Sequence, residues 1–183
     1  MRLVVAGTFA AAAAIAPAGA FAVDYLTFEQ AAQLIFPDAD RFDAREIELD
    51  AAQLQALADA GVRGRSARWT ARIARHGDAT LGVVVADAVI GKFELISYAV
   101  GIDSAGTIRQ IEILSYRESH GGEVRLPAWR RQFVGKSAAS PLRVGDDIAN
   151  ISGATLSCTH LAEGVRRIVA VVALARRSGG LGG

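Results

Sequence analysis

The feature that most constrains the fold is a change of hydrophobic period partway along the chain. From Trp69 onward the apolar residues recur every second position: Trp69, Ala71 and Ile73 alternate with Thr70, Arg72 and Ala74. That spacing puts one set of side chains on one face of an extended segment, the pattern of a half-buried strand. Leu81 to Ala86 and Phe93 to Ile102 are further β-rich runs, separated by a turn at Gly91-Lys92. Asp103-Ser104-Ala105-Gly106 has turn composition, and Ile108, Ile111, Ile113 and Leu114 follow it. Strands this closely spaced, joined by short turns, favour an antiparallel meander.

On both sides of this region the period is near 3.6. Thr27 to Leu34 opens as a capped helix, with Thr27 at the N-cap and Gln30 three residues on, the spacing of a capping box. Ala51 to Ala60 fits a second helix, capped by Asp50 and stopped by Gly61. Gly121-Gly122 breaks the strand pattern, and Pro127 to Phe133 reads as a short helix with Pro in its first turn. The chain ends in a long helix, roughly Leu156 to Arg176. Leu161, Val165, Ile168, Val172 and Ala175 share one of its faces, and Arg166 and Arg167 are expected to point away. The expected fold class is α+β: an antiparallel twisted sheet with N-terminal helices and a long C-terminal helix.

Length allows one such domain. The chain has 183 residues, with 51% hydrophobic and only 7% aromatic side chains, so its core must be built from Ala, Val, Ile and Leu. The formal net charge is +1, without the basic footprint that a nucleic-acid binder carries. Arg130-Arg131, Arg166-Arg167 and Arg176-Arg177 are isolated basic pairs, expected on solvated helix faces. Residues 1–22 have the order of a cleaved secretory signal: Arg2, an apolar stretch from Leu3 to Ala16, Pro17 and Gly19, then Ala20-Phe21-Ala22. The alternative is an uncleaved N-terminal membrane anchor, since Leu3 to Val23 is about long enough to span. The expected organisation is therefore a signal peptide at 1–22, a periplasmic or extracytoplasmic domain at 23–177 and a flexible tail at 178–183. With Cys158 the only cysteine, no disulfide framework is possible, and the absence of Cys-x-x-Cys-His excludes an attached c-type haem.

The chemistry concentrates where the last helix begins. Ile151-Ser152-Gly153-Ala154-Thr155-Leu156-Ser157 brings small and hydroxylic residues into a helix whose first N–H groups have no intrahelical partner. Those donors and the helix dipole suit a phosphate, and Gly153 and Ala154 leave room for a bulky group. Taken alone, the composition would mark only an ordinary Ser or Thr N-cap. Cys158 fits a small packing residue, His160 two positions on is too sparse a neighbour for a zinc site, and His76 and His120 fit turns.

Ser152-Gly153-Ala154-Thr155 resembles the hallmark of the FMN-binding domains, the family that includes flavin-carrying subunits of sodium-pumping NADH:quinone reductases and of Rnf complexes. The resemblance runs from about Gly82 to Ile168. It takes in Phe93-Glu94-Leu95-Ile96-Ser97-Tyr98, Asp103-Ser104-Ala105-Gly106-Thr107-Ile108 and Tyr116-Arg117-Glu118-Ser119-His120-Gly121-Gly122. Trp129, Gln132-Phe133 and Gly135-Lys136 complete the ordered set. The resemblance implies FMN esterified through its phosphate to Thr155 by a flavin transferase, with Ser152, Gly153, Ala154, Ser157, Glu118, Gly121 and Trp129 as further cofactor-binding residues. Glu118 could hydrogen-bond the flavin or be a surface carboxylate, and Trp129 could stack on its ring or be a core aromatic. The family places Asp three residues before the Ser; here that position is Ala149, with Asp146 and Asp147 nearby.

The implied function is an exported electron carrier rather than a stand-alone enzyme. It would exchange electrons with a membrane-bound donor or another redox protein. Two alternatives are a flavin-bearing domain of an extracytoplasmic reductase complex and a flavin-free binding module of the same fold.

Overall fold

The computed structural model describes residues 23–118 and 121–181. The expected signal segment, residues 1–22, lies outside the described residues, as do Ser119, His120 and the last two glycines. The strands are β1 (Val23–Asp24), β2 (Arg41–Glu48), β3 (Arg68–His76), β4 (Ala79–Ile90), β5 (Leu95–Asp103) and β6 (Ile108–Tyr116). They form one antiparallel sheet in the order β1-β6-β5-β4-β3-β2. Strands β3 to β6 are the expected meander, and the α+β class is the expected one.

Strand β2 was not expected. Its sequence, Arg41 to Glu48, is mostly charged, and only Ile47 is buried. It is an edge strand, where charge guards against pairing with another chain and apolar alternation is not required. Its register comes from β3 instead, with Arg75 on Asp43 at 2.7 Å and Arg68 on Glu48 at 3.1 Å.

Helices cover both faces of the sheet. Helix α1 (Phe28–Ile35) starts at the capping box of Thr27 and Gln30 and buries Ala31, Ala32 and Ile35. It lies close because β5 carries Gly101 beneath it: a Cβ there would stand 2.1 Å from Ile35 Cγ2. Helix α2 (Ala51–Asp59) is capped by Asp50 and ends before Gly61, whose φ is +67°. On the opposite face lies α4 (Thr155–Arg177), with Leu161, Val165, Ile168, Val172 and Ala175 all buried against the sheet. Burying each of the Leu, Val and Ile side chains contributes about 1.5–3 kcal/mol before entropy is counted, so this helix is fixed by its packing. Pro127–Arg130 forms α3, and residues 131–133 continue it as a 3-10 turn, so the expected short helix spans both.

The basic pairs need correction. Arg167 does not point away from the core: it is 4% exposed, and its guanidinium donates to Asp87 Oδ2 at 2.6 and 3.1 Å. The Tyr98 hydroxyl donates to the same oxygen at 3.0 Å. A carboxylate on the inner face of β4 requires a buried cation, a demand that helix periodicity does not reveal. Arg130 likewise pairs with buried Glu112 at 2.5 Å, and Arg176 donates to the Asp103 and Ser104 carbonyls at 2.7 and 3.1 Å. Each pair thus sends at least one guanidinium into protein contacts, and Arg166 also donates to the Ala60 and Gly61 carbonyls. Beyond α4, residues 178–181 form a turn that returns Leu181 to the core.

Candidate functional site

Four pieces of backbone converge at the N-terminus of α4. The first is the loop that leads into the helix. Gly153 sits at φ +82° with nothing within 4 Å of where a Cβ would be, a conformation and an openness that favour glycine there. Ala154, the N-cap residue, makes no side-chain cap, and α4 begins at Thr155. An ordinary Ser or Thr cap is therefore not what these hydroxyls form. The first helical bond closes from the Cys158 N–H to the Ala154 carbonyl. The N–H groups of Thr155, Leu156 and Ser157 are thus left to the helix end, with the positive pole of its dipole.

The second piece is the turn between β4 and β5, where the Gly91 N–H bonds the Glu94 carbonyl at 2.8 Å. It brings Lys92 and Phe93 to the site. Phe93 is 73% exposed with Lys92 Nζ over its ring at 4.9 Å. The third is Glu118, two residues past β6. Its Oε1 accepts from the Phe93 and Glu94 N–H groups at 2.5 and 2.9 Å, so the carboxylate ties the turn down. The fourth is Gly121, at φ +79°, which lies against the helix start: a Cβ there would come within 2.8 Å of Ala154 Cβ.

Together these pieces enclose an open pocket of about 500 Å³ lined by Lys92, Phe93, Glu118 and residues 153–157. That volume is in the range of small-molecule and cofactor sites. Leu156, 46% exposed, and Phe93 supply apolar surface, and Lys92 supplies positive charge. Ser157 is buried and hydrogen-bonded with Tyr116 at the end of β6. Burial raises the Tyr116 phenol above its ordinary value; the Ser157 bond opposes this, and the charges of Glu118 and Glu123 add to it.

The Thr155 hydroxyl accepts from Asn150 Nδ2 at 2.9 Å. Asn150 was not singled out in the sequence and Lys92 was read only as part of a turn, and neither belongs to a motif. Their roles appear only when the loop and the turn are seen around Thr155. Of the expected site residues, Thr155, Gly153, Ala154, Ser157 and Glu118 line the pocket, and Gly121 buttresses it. Ser152 lies in the turn leading to the helix, beside these residues in sequence but not among the pocket's lining.

Trp129 is elsewhere. It is 5% exposed in the core, its ring edge-on to Phe133 at 5.1 Å, and its Nε1–H donates to the Ala149 carbonyl at 2.8 Å. The core-aromatic alternative is the one the fold adopts, because the indole is needed to hold the loop that precedes the helix. Gln132 holds the same residue from the other side, accepting from the Ala149 N–H at 2.7 Å. Asp147 is also committed. It accepts from the Arg143 N–H at 2.9 Å and pairs with Lys136 at 3.0 Å. Burial pushes its carboxyl up, but the Arg143, Lys136 and Leu142 hydrogen bonds outweigh this and hold it below the usual aspartate value. Cys158 is buried, which raises its thiol, as suits a packing residue.

Residues 91–170 match the FMN-binding domain family, a segment that contains every residue lining the pocket. The solved structures that share the fold include two at low identity. One is Shewanella oneidensis NqrC, 14% identical with a TM-score of 0.53 over 79% of this chain and 88% of that one. The other is a subunit of the Na(+)-translocating NADH-quinone reductase from Parabacteroides distasonis, 15% identical with a TM-score of 0.52 over 78% and 81%. No curated protein matches the chain in sequence.

Proposed function

Residues 91–170 being an FMN-binding domain, we propose that the chain is an exported electron carrier holding FMN covalently through a phosphoester to Thr155 Oγ1. The observation that carries this reading is the Thr155 hydroxyl. It stands on the first turn of a helix that no side chain caps, at the mouth of a pocket large enough for a cofactor.

The residues present suit the group. The first-turn N–H groups of α4 and its dipole favour the negative charge of a phosphodiester. The Lys92 ammonium adds positive charge on the facing turn, and open space beside Gly153 accommodates a substituent on Thr155. Asn150, by donating to Oγ1, fixes the direction in which the hydroxyl presents itself. Phe93 and Leu156 offer apolar surface for a flat ring, and Glu118 keeps the Phe93 turn in place. When bound, FMN supplies one- and two-electron redox chemistry, while the protein binds and orients it.

Covalency has a purpose outside the cytoplasm. A reversibly held cofactor would be lost by dilution, whereas a tether keeps its effective concentration high however weak the other contacts are. Export is supported by the order of Arg2, the apolar stretch and Ala20-Phe21-Ala22. Maturation then requires a flavin transferase on the same side of the membrane.

The test is co-expression with a flavin transferase in the periplasm. The protein should gain the mass of FMN less one water and begin near Val23. The Thr155→Val variant should fold and stay colourless. If that variant still carries flavin that survives acid precipitation, the attachment site is elsewhere.

A further inference from the structure

Two clefts of about 350 Å³ each meet along the exposed flank of α4, sharing Arg63, His160, Glu163 and Arg167, and so form one groove. The groove abuts the pocket at Thr155. The His160 Nδ1 bonds the Ile90 and Gly91 carbonyls at 2.7 and 2.9 Å, and the next residue, Lys92, lines that pocket. At a rise of 1.5 Å per residue, His160 and Glu163 lie about 7.5 and 12 Å beyond Thr155 along the helix.

The charge of this groove is lopsided. Arg63 and Arg65 are exposed and have no hydrogen-bond or ion-pair partner among the described residues. Arg166 reaches only the Ala60 and Gly61 carbonyls, at 3.0 and 3.4 Å, which leaves its charge uncompensated. The Arg167 charge is answered by Asp87, and Glu163 is the one carboxylate lining the groove among the described residues. By contrast, Arg68, Arg72 and Arg75 of β3 all rest on carboxylates. Uncompensated cations along a cleft focus positive potential and attract anionic partners. Beside them Ile90, 45% exposed, offers apolar contact.

On the reading of this domain as a flavin carrier, we propose that the groove docks an acidic stretch of the protein with which it exchanges electrons. The cations are spread over two elements, the loop after α2 and the flank of α4, rather than converging on one point. That layout fits an extended chain better than a small anion. Docking there sets the partner beside the cofactor pocket without covering Thr155. Charge complementarity of this kind chiefly speeds encounter and selects partners.

The experiment measures binding of a short fluorescein-labelled peptide of alternating Glu and Leu by fluorescence anisotropy. It uses the mature protein and its Thr155→Val variant, so that failure of flavin attachment does not decide the result. The peptide should bind both alike at low ionic strength and weaken as salt rises. The Arg63→Glu/Arg65→Glu variant should lose at least about tenfold in affinity. A charge-matched control on the exposed Arg45 and Arg177, Arg45→Glu/Arg177→Glu, should lose far less. Equal losses in the two double variants, or no binding at low salt, overturn the proposal. Displacement of the peptide by low concentrations of inorganic phosphate also overturns it, by making the groove a small-anion site.

Discussion

Removing the Glu118 carboxylate is the sharpest way to ask what holds the pocket at Thr155 in shape. In Glu118→Ala, two hydrogen bonds vanish together, those from the Phe93 and Glu94 N–H groups at 2.5 and 2.9 Å. A hydrogen bond to a charged group contributes about 1.5–3 kcal/mol when well shielded. Here Phe93 lines an open pocket and Glu94 is exposed, so water can take over the freed N–H groups. The pair is therefore worth about 1–2 kcal/mol in local stability. The Gly91 to Glu94 backbone bond survives, so the turn should open more often rather than melt. A change of that size corresponds to a factor of about 5–30 in the opening equilibrium. Amide hydrogen exchange reads it directly. Protection of the Phe93 and Glu94 amides should fall by that factor, while amides of α1, on the opposite face of the sheet, keep theirs. Glu118→Gln, which retains a neutral acceptor, should fall between the two. Unchanged protection at Phe93 and Glu94 would show that the carboxylate does not hold the turn. An equal loss throughout α1 would show that Glu118 acts on the whole fold instead.

The remaining predictions concern the loop before α4 and the core beneath it. Because Asp147 is committed to Lys136 and Arg143, Asp147→Ala should destabilise the protein by about 1–2 kcal/mol in urea titration yet leave the flavin loading rate unchanged. Ala149→Asp, which restores the family's usual carboxylate, should speed loading; a loss of loading in Asp147→Ala instead would mean that Asp147 serves the transferase. The Asp147 contribution, resting on a depressed folded value, should be present above the ordinary aspartate range and be lost as pH falls through that folded value. Gly164→Ala should cost about 1–3 kcal/mol despite alanine's better helix propensity, because its Cβ would stand 2.2 Å from the Tyr98 hydroxyl oxygen. Adding Tyr98→Phe should recover part of that loss; strict additivity of the two would refute the clash. Burial above all, with the Asp87 charge adding and the Arg167 charge opposing, raises the Tyr98 phenol well above its ordinary value. Its contribution is then complete below the unfolded tyrosine value near pH 10, and stability should fall by up to about 1.4 kcal/mol per pH unit above it. Tyr98→Phe should flatten that slope in urea titrations, and an unchanged slope would assign the alkaline loss to other groups.

The sequence by itself determined the elements whose signals are local. The capping boxes at Thr27 and Asp50, the meander from β3 to β6 and the buried face of α4 depend on spacing and turn chemistry within a few residues. The Ser152 to Thr155 motif was legible for the same reason, being contiguous. Only the tertiary structure decided what depends on partners far apart in the chain. Strand β2 buries only Ile47, shows no apolar alternation and takes its register from β3. The destination of Arg167 depends on Asp87, 80 residues earlier. Glu118 reaches back 25 residues to the Phe93 turn, and Trp129 lies away from the Thr155 pocket and supports the Ala149 loop. Periodicity reports which face of an element is apolar. Which polar group meets which across the fold is set by how the layers stack, and no window along the chain contains that information.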